Sequence, residues 1–216
     1  IGKAVVSNLR TGKKLSFVNI KNAGFIKSVQ QYYLVDQTKK MIIYDLKGNI
    51  LYSVNGVEII SGDNDKILIT YRGENSNYGI MRWDGKKGDV LYTTADRIER
   101  TELMNSGIYL SVRSLDPVSD TRSVKILNCS TGKLFAPAEL LNRREKTIKV
   151  TEIQNGAAFL ISAETPIQRV KHPMVDLWYG ADKNLRFTKN NKTSYSFWHL
   201  SAATGKVKQL PTGKFD

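Results

Sequence analysis

The stretch VKILNCSTGKLF, Val124 to Phe135, decides how the rest of the chain is read. Apolar and polar residues alternate up to Cys129, which predicts a strand. Thr131-Gly132-Lys133 then closes a tight turn, and a second strand starts at Leu134. The same shape opens as AVVSNLRTGKKL at Ala4 and MIIYDLKGNIL at Met41, and returns as IMRWDGKKGDVL at Ile80 and FWHLSAATGKVKQL at Phe197. In four of these five copies a polar residue (Asn8, Asp84, Asn128, Ser201) stands four positions ahead of a glycine (Gly12, Gly88, Gly132, Gly205). The copy from Asp45 to Gly48 is one residue tighter. Glycine supplies positive φ without a Cβ clash, and a short polar side chain can hydrogen-bond the turn backbone. These turns are structural punctuation and carry no reactive group.

Successive turn glycines lie about 36, 40 and 44 residues apart, and the last two about 73 apart, near a double period. A period near forty built of short strands predicts an all-β chain of β-propeller type, with about five blade-like repeats of four antiparallel strands. A β-sandwich is the alternative, but unequal Greek-key loops would not return one motif at one period.

With 216 residues, 41% hydrophobic and 25% charged, the chain is expected to form one domain over 1–216. No apolar run is long enough to cross a bilayer, and no signal-peptide pattern is present. The chain opens at Ile1 and enters a strand pattern at once, which we read as an excised part of a larger propeller. Cys129 is the only cysteine, so no intramolecular disulfide can form. The net charge of +13 favours polyanions or anionic surfaces. The cations are spread, however, many of them in the turns (Lys13, Lys14, Lys86, Lys87, Lys133, Lys206), which argues against a nucleic-acid site. The densest cluster is Arg143-Arg144-Glu145-Lys146.

In chain order, only the end of a first blade is expected, over Ala4–Leu9 and Leu15–Ile20. Four strands follow at Phe25–Val29, Tyr32–Asp36, Met41–Leu46 and Ile50–Val54. The next unit takes Val57–Ile60, a Gly62–Asp65 turn, Lys66–Arg72, Tyr78–Trp83 and Val90–Thr93. After it come Arg100–Met104, Ile108–Arg113 and Ser123–Cys129, with a short helix over Pro137–Arg144. Thr147–Gln154 and Ala157–Ala163 form a hairpin whose Asn155-Gly156 pair predicts a type I′ turn. From Glu164 to Lys192 the rhythm breaks in an insertion of mixed polar and aromatic character that doubles the last spacing. Long loops of this kind are where function usually lies.

Residue chemistry names no catalyst. No G-x-S-x-G elbow is present, and the only histidines are His172, ahead of Pro173, and His199, between Trp198 and Leu200. Two histidines and one cysteine do not make a cysteine- and histidine-rich zinc site, and Asp63-Asn64-Asp65 lacks EF-hand spacing. No phosphate-binding or dinucleotide fingerprint occurs, so neither a cofactor nor a metal is expected. Asn128-Cys-Ser and Asn191-Lys-Thr fit the glycosylation pattern. Trp178 and Tyr179, with Arg186 and Phe187, could form an interaction surface, although Trp178 as a plug between blades is the favoured reading.

The insertion also carries a resemblance. Pro173 to Arg186, with Val175-Asp176-Leu177-Trp178 followed by Asp182 and Leu185, resembles the V-D-I-W-x-x-x-D-x-x-L motif in the N-terminal propeller region of bacterial prolyl-oligopeptidase-like (S9) serine peptidases, Bacteroidetes-type enzymes in particular. The likeness is specific over Val175–Leu185 and general over the repeats of the D-x-x-T-G-K type. It implies a propeller seated on a C-terminal α/β-hydrolase domain of the same polypeptide, restricting access to peptide substrates at a periplasmic or extracellular location. The triad of that family lies in the hydrolase domain, and no residue here matches it, so none is expected to be catalytic. Asp176, Trp178, Tyr179, Asp182 and Arg186 are the residues expected at a ligand or domain interface. The alternative is a stand-alone WD40-like or quinoprotein-like propeller that binds a protein or a polyanionic glycan.

Overall fold

The computed structural model describes residues 2–7, 12, 14–62, 67–136, 147–166 and 193–211. Two compact units divide the chain, Ile1–Arg144 and Glu145–Asp216.

The first unit opens with two antiparallel strands, β1 (Lys3–Ser7) and β2 (Lys14–Val18). Three four-stranded antiparallel meanders follow. The first consists of β3 (Ile20–Ile26), β4 (Gln31–Asp36), β5 (Met41–Tyr44) and β6 (Ile50–Val54). The second consists of β7 (Val57–Gly62), β8 (Ile67–Arg72), β9 (Tyr78–Trp83) and β10 (Gly88–Thr94). The third consists of β11 (Arg97–Leu103), β12 (Tyr109–Asp116), β13 (Thr121–Asn128) and β14 (Leu134–Phe135). The second unit is one further meander: β15 (Thr147–Ile153), β16 (Ala158–Pro166), β17 (Thr193–Ser201) and β18 (Val207–Gln209). The fold is all-β and of β-propeller type. Among the described residues it comprises four four-stranded blades and one two-stranded piece.

The blades of the first unit pack face to face because their middle strands are apolar on both sides. In the β7–β10 blade, Ile67, Ile69, Met81 and Trp83 face the preceding blade and meet Ile26, Val35, Met41 and Ile43. The intervening residues Leu68, Tyr78 and Ile80 face the following blade and meet Leu110, Val112 and Leu127. The strand period of two thus sends successive side chains into two different cores. Each such buried side chain contributes roughly 1.5–3 kcal/mol. A smaller core joins β1 and β2 to the next blade, with Phe17 against Tyr32 and Tyr44, whose rings stack at 5.1 Å.

The repeated turn joins the third and fourth strands of each blade. At Asn128, Oδ1 accepts from the N–H groups of Ser130 and Thr131, both at 2.9 Å, and the Gly132 N–H reaches the Asn128 carbonyl at 2.8 Å. Gly132 has φ 73°, as the motif requires. At Ser201 the same bond runs from Gly205 N–H to the Ser201 carbonyl at 2.8 Å. Asp45 holds its tighter turn through the N–H groups of Lys47 and Asn49, each at 2.8 Å.

Several expectations are corrected. At Asp84 the positive-φ glycine is Gly85 (φ 97°), while Gly88 is the first residue of β10. The Asp84 turn closes two residues earlier than the Asn128 turn: Asp84 N–H donates to the Lys87 carbonyl at 3.2 Å, whereas Asn128 N–H donates to the Lys133 carbonyl at 2.8 Å. Lys27–Val29 forms a 3-10 turn in place of a strand end, and Asn19 (φ 61°) splits the expected Leu15–Ile20 strand, so that Ile20 begins β3. The Asn155-Gly156 turn has positive φ at both central residues, 51° and 87°, as a type I′ turn demands. Gln154 is also left-handed (φ 53°), so strand pairing ends at Ile153–Ala158 and the loop is wider than two residues. The expected helix over 137–144, the 63–65 turn and His172 lie outside the described residues.

Candidate functional site

The strand directions place each described loop of the three complete blades of the first unit at one of two ends. The β3–β4, β5–β6, β9–β10, β11–β12 and β13–β14 turns share one end; the β4–β5, β8–β9 and β12–β13 turns and the inter-blade links share the other. A cavity lies at each end.

The first is a cavity of about 300 Å³, walled mainly by Ile26, Val29, Leu68, Trp83 and Leu103. Its polar rim is fixed by links between blades. Gln31, 8% exposed, accepts from Trp83 Nε1 at 2.8 Å and donates to the Gly85 carbonyl at 2.7 Å. Arg82 donates to the Cys129 carbonyl at 2.8 Å and pairs with Asp89 at 3.3 Å. Lys87, at 2.9 Å, is the main cause that holds the Asp89 carboxyl below the usual carboxylate range, and Arg82 adds to it. Cys129 is buried, its Sγ 3.9 Å from the Leu127 carbonyl, and no histidine lines the cavity among the described residues. The arrangement can seat an apolar group; its described lining residues offer no nucleophile with a base beside it.

The second cavity, about 490 Å³, is more open and more charged. It is lined by Lys39, Glu58, Arg72, Ser76, Tyr78, Ala95, Arg97 and Pro117. A recurrent backbone feature builds it. The first strand of each complete blade in the first unit carries a register shift near its start, at Ile20/Asn22, Val57/Ile59 and Ile98/Arg100. The extra residues are Lys21, Glu58 and Glu99. A bulge re-aims the side chain it carries. Glu58 meets Lys39 at 2.8 Å, and Glu99 meets Arg122 at 3.1 Å. Lys39 is itself held: Asp36 Oδ1 binds the N–H groups of Thr38 and Lys40 at 2.8 and 3.0 Å, Lys39 takes φ 66°, and its carbonyl accepts from Val57 N–H at 2.9 Å. The Asp36 carboxyl is held below its usual range chiefly by the Thr38 hydroxyl. Sequence reading missed this cavity, because a one-residue bulge leaves the apolar alternation nearly intact. The signal present was an acid, Glu58 or Glu99, interrupting the start of two successive first strands.

The residues expected at an interface from sequence, Asp176, Trp178, Tyr179, Asp182 and Arg186, lie outside the described residues. Their insertion leaves from the paired tips of β16 and β17, which stay in register to Pro166–Thr193. His199 sits on β17 opposite Leu160 and Lys208, between the buried Trp198 and Leu200.

No family model matches the chain, and no curated protein matches it. Solved structures do. A Bacteroides ovatus protein assigned as a dipeptidyl aminopeptidase IV is similar over 97% of this chain and 32% of its own length, at 13% identity and a TM-score of 0.55. Prolyl oligopeptidase B from Galerina marginata, bound to a 35mer hydrolysis and macrocyclization substrate, is similar over 90% of this chain and 28% of its own, at 9% identity and a TM-score of 0.50. The chain thus spans about a third of the length of these proteins. At such identities the likeness shows the fold, and the fold is that of a β-propeller.

Proposed function

We propose that the chain is a non-catalytic propeller segment of a secreted S9-type, prolyl-oligopeptidase-like serine peptidase. It restricts peptide access to an α/β-hydrolase domain carried elsewhere in the same polypeptide. One observation carries the reading: a chain with the Val175–Leu185 motif has a backbone similar over nearly its whole length to two proteins named as peptidases. The cavities agree with it, since their described linings hold charges and apolar walls without a nucleophile–base pair. The role is steric: the blades admit flexible peptides and exclude folded proteins. A periplasmic or extracellular location belongs to the same reading.

The test is the native open reading frame and its product. A hydrolase domain with a G-x-S-x-G elbow, and a full-length protein that cleaves short peptides but spares folded ones, is the expected result. A frame without such a domain, or peptide hydrolysis by these 216 residues alone, overturns it. The second reading is a stand-alone interaction propeller for a protein or polyanionic glycan, which the net charge of +13 favours.

A further inference from the structure

We propose that the charged cavity between the bulged start of β7 and the head of β11 binds the acidic end of a peptide. Arg72 and Arg97 would take its carboxylates and Glu58 one of its N–H groups. Both arginine side chains are exposed at the cavity.

Three cations and one carboxylate line the space. Lys39 is committed to Glu58 Oε1 at 2.8 Å, and the Glu58 side chain remains 23% exposed. Two guanidinium groups are left to compensate a ligand. Arg72 is preset: its Nη2 donates to Ser76 Oγ at 3.0 Å and its plane lies 6.0 Å from the centre of the Tyr78 ring. That contact holds the long side chain in place and leaves the rest of its fork open. The Arg97 side chain makes no hydrogen bond or ion pair with another described residue. A guanidinium takes a carboxylate through two parallel N–H···O bonds.

Glu58 decides the class of ligand. It repels a bare dianion such as phosphate, whereas a ligand with both carboxylates and N–H donors satisfies Glu58 Oε2 and the two arginines together. Peptide ends carry both. The rim suits one too, since Val118 beside Pro117 is 93% exposed and offers an apolar contact to a neighbouring side chain. A nucleic-acid strand would need a stripe of cations along its backbone, and these cations converge on one hollow.

The site concerns binding by this chain alone, so it stands or falls separately from the peptidase reading. The test is calorimetric titration of the 216-residue chain with a tripeptide ending in Asp-Glu, its C-terminally amidated form, inorganic phosphate and a short single-stranded oligonucleotide. The tripeptide is expected to bind, and Arg72→Gln and Arg97→Gln each to weaken it at least about tenfold, the loss of one charge-assisted pair. Glu58→Gln is expected to narrow the preference for the tripeptide over phosphate. Arg100→Gln, on the same strand as Arg97, is expected to leave binding unchanged, with unfolding curves showing all variants folded. No binding of the tripeptide, equal binding by the arginine variants, or tighter binding of phosphate or oligonucleotide overturns the proposal. If binding is seen while the reading frame lacks a hydrolase domain, only the peptidase reading fails.

Discussion

Removing the hydrogen bond between Trp83 and Gln31 should loosen the first unit at the seam between its first two complete blades. Trp83 is 4% exposed and belongs to the core formed with Ile26, Met41 and Ile43. In Trp83→Phe the Gln31 Oε1 loses the indole N–H that it accepts in a buried setting, which costs about 1–3 kcal/mol. The smaller ring removes further apolar contact, worth about 1 kcal/mol on the scale of one or two methylenes. A total of about 2–4 kcal/mol lowers Tm by roughly 5–15 °C for a chain of this size. Gln31→Met strands the indole N–H instead and should cost about 1–3 kcal/mol. The double variant should cost less than the sum of the singles by at least about 1 kcal/mol, because it removes both ends of one bond. Urea unfolding followed by far-UV circular dichroism is the suitable assay, since tryptophan fluorescence changes with the mutation itself. Strict additivity in that cycle would refute the claim that this bond joins the blades.

Other perturbations have defined outcomes. Gly56→Ala places a Cβ against the Arg72 carbonyl oxygen at φ 71°, and backbone cannot swing aside. The left-handed conformation alone costs about 1–2 kcal/mol, so a loss of at least about 2 kcal/mol is expected in denaturant titration. Ile69→Ala empties a fully buried position and should cost about 2–5 kcal/mol, while Val118→Ala, almost wholly exposed, should leave the unfolding midpoint where it is. The turn carboxylates predict an acid limb. Asp45 is held below 3.8 chiefly by the Asn49 N–H, and Asp84 by the Lys87 N–H. Each therefore binds protons less readily folded than unfolded. Their stabilisation is fully present above the ordinary Asp value and is lost as pH falls through the lowered folded value. Asp45→Asn keeps the Oδ1 acceptor, as Asn128 does naturally, and should flatten that limb in unfolding curves taken across the acid range.

The sequence by itself determined the parts of this protein that are local. A polar residue, a short turn and a glycine form one hydrogen-bonded unit, as the Asn128 and Ser201 turns show, so the repeat and with it the blade meander were legible. The apolar alternation of Ile67–Ile69 and Ile80–Met81 likewise marked middle strands. Tertiary structure decided which core each of those residues enters, because alternation says that two faces differ and not what covers them. It also decided the site. The bulges at Glu58 and Glu99 add a single residue to a strand, a change too small to disturb a sequence period. Only pairing with β8 and β12 shows that these acids are turned toward Lys39 and Arg122. Arg72 at the end of β8, with Ser76 in the loop that follows it, meets Arg97 at the head of β11 because antiparallel chain direction returns every second loop to the same end of the blades.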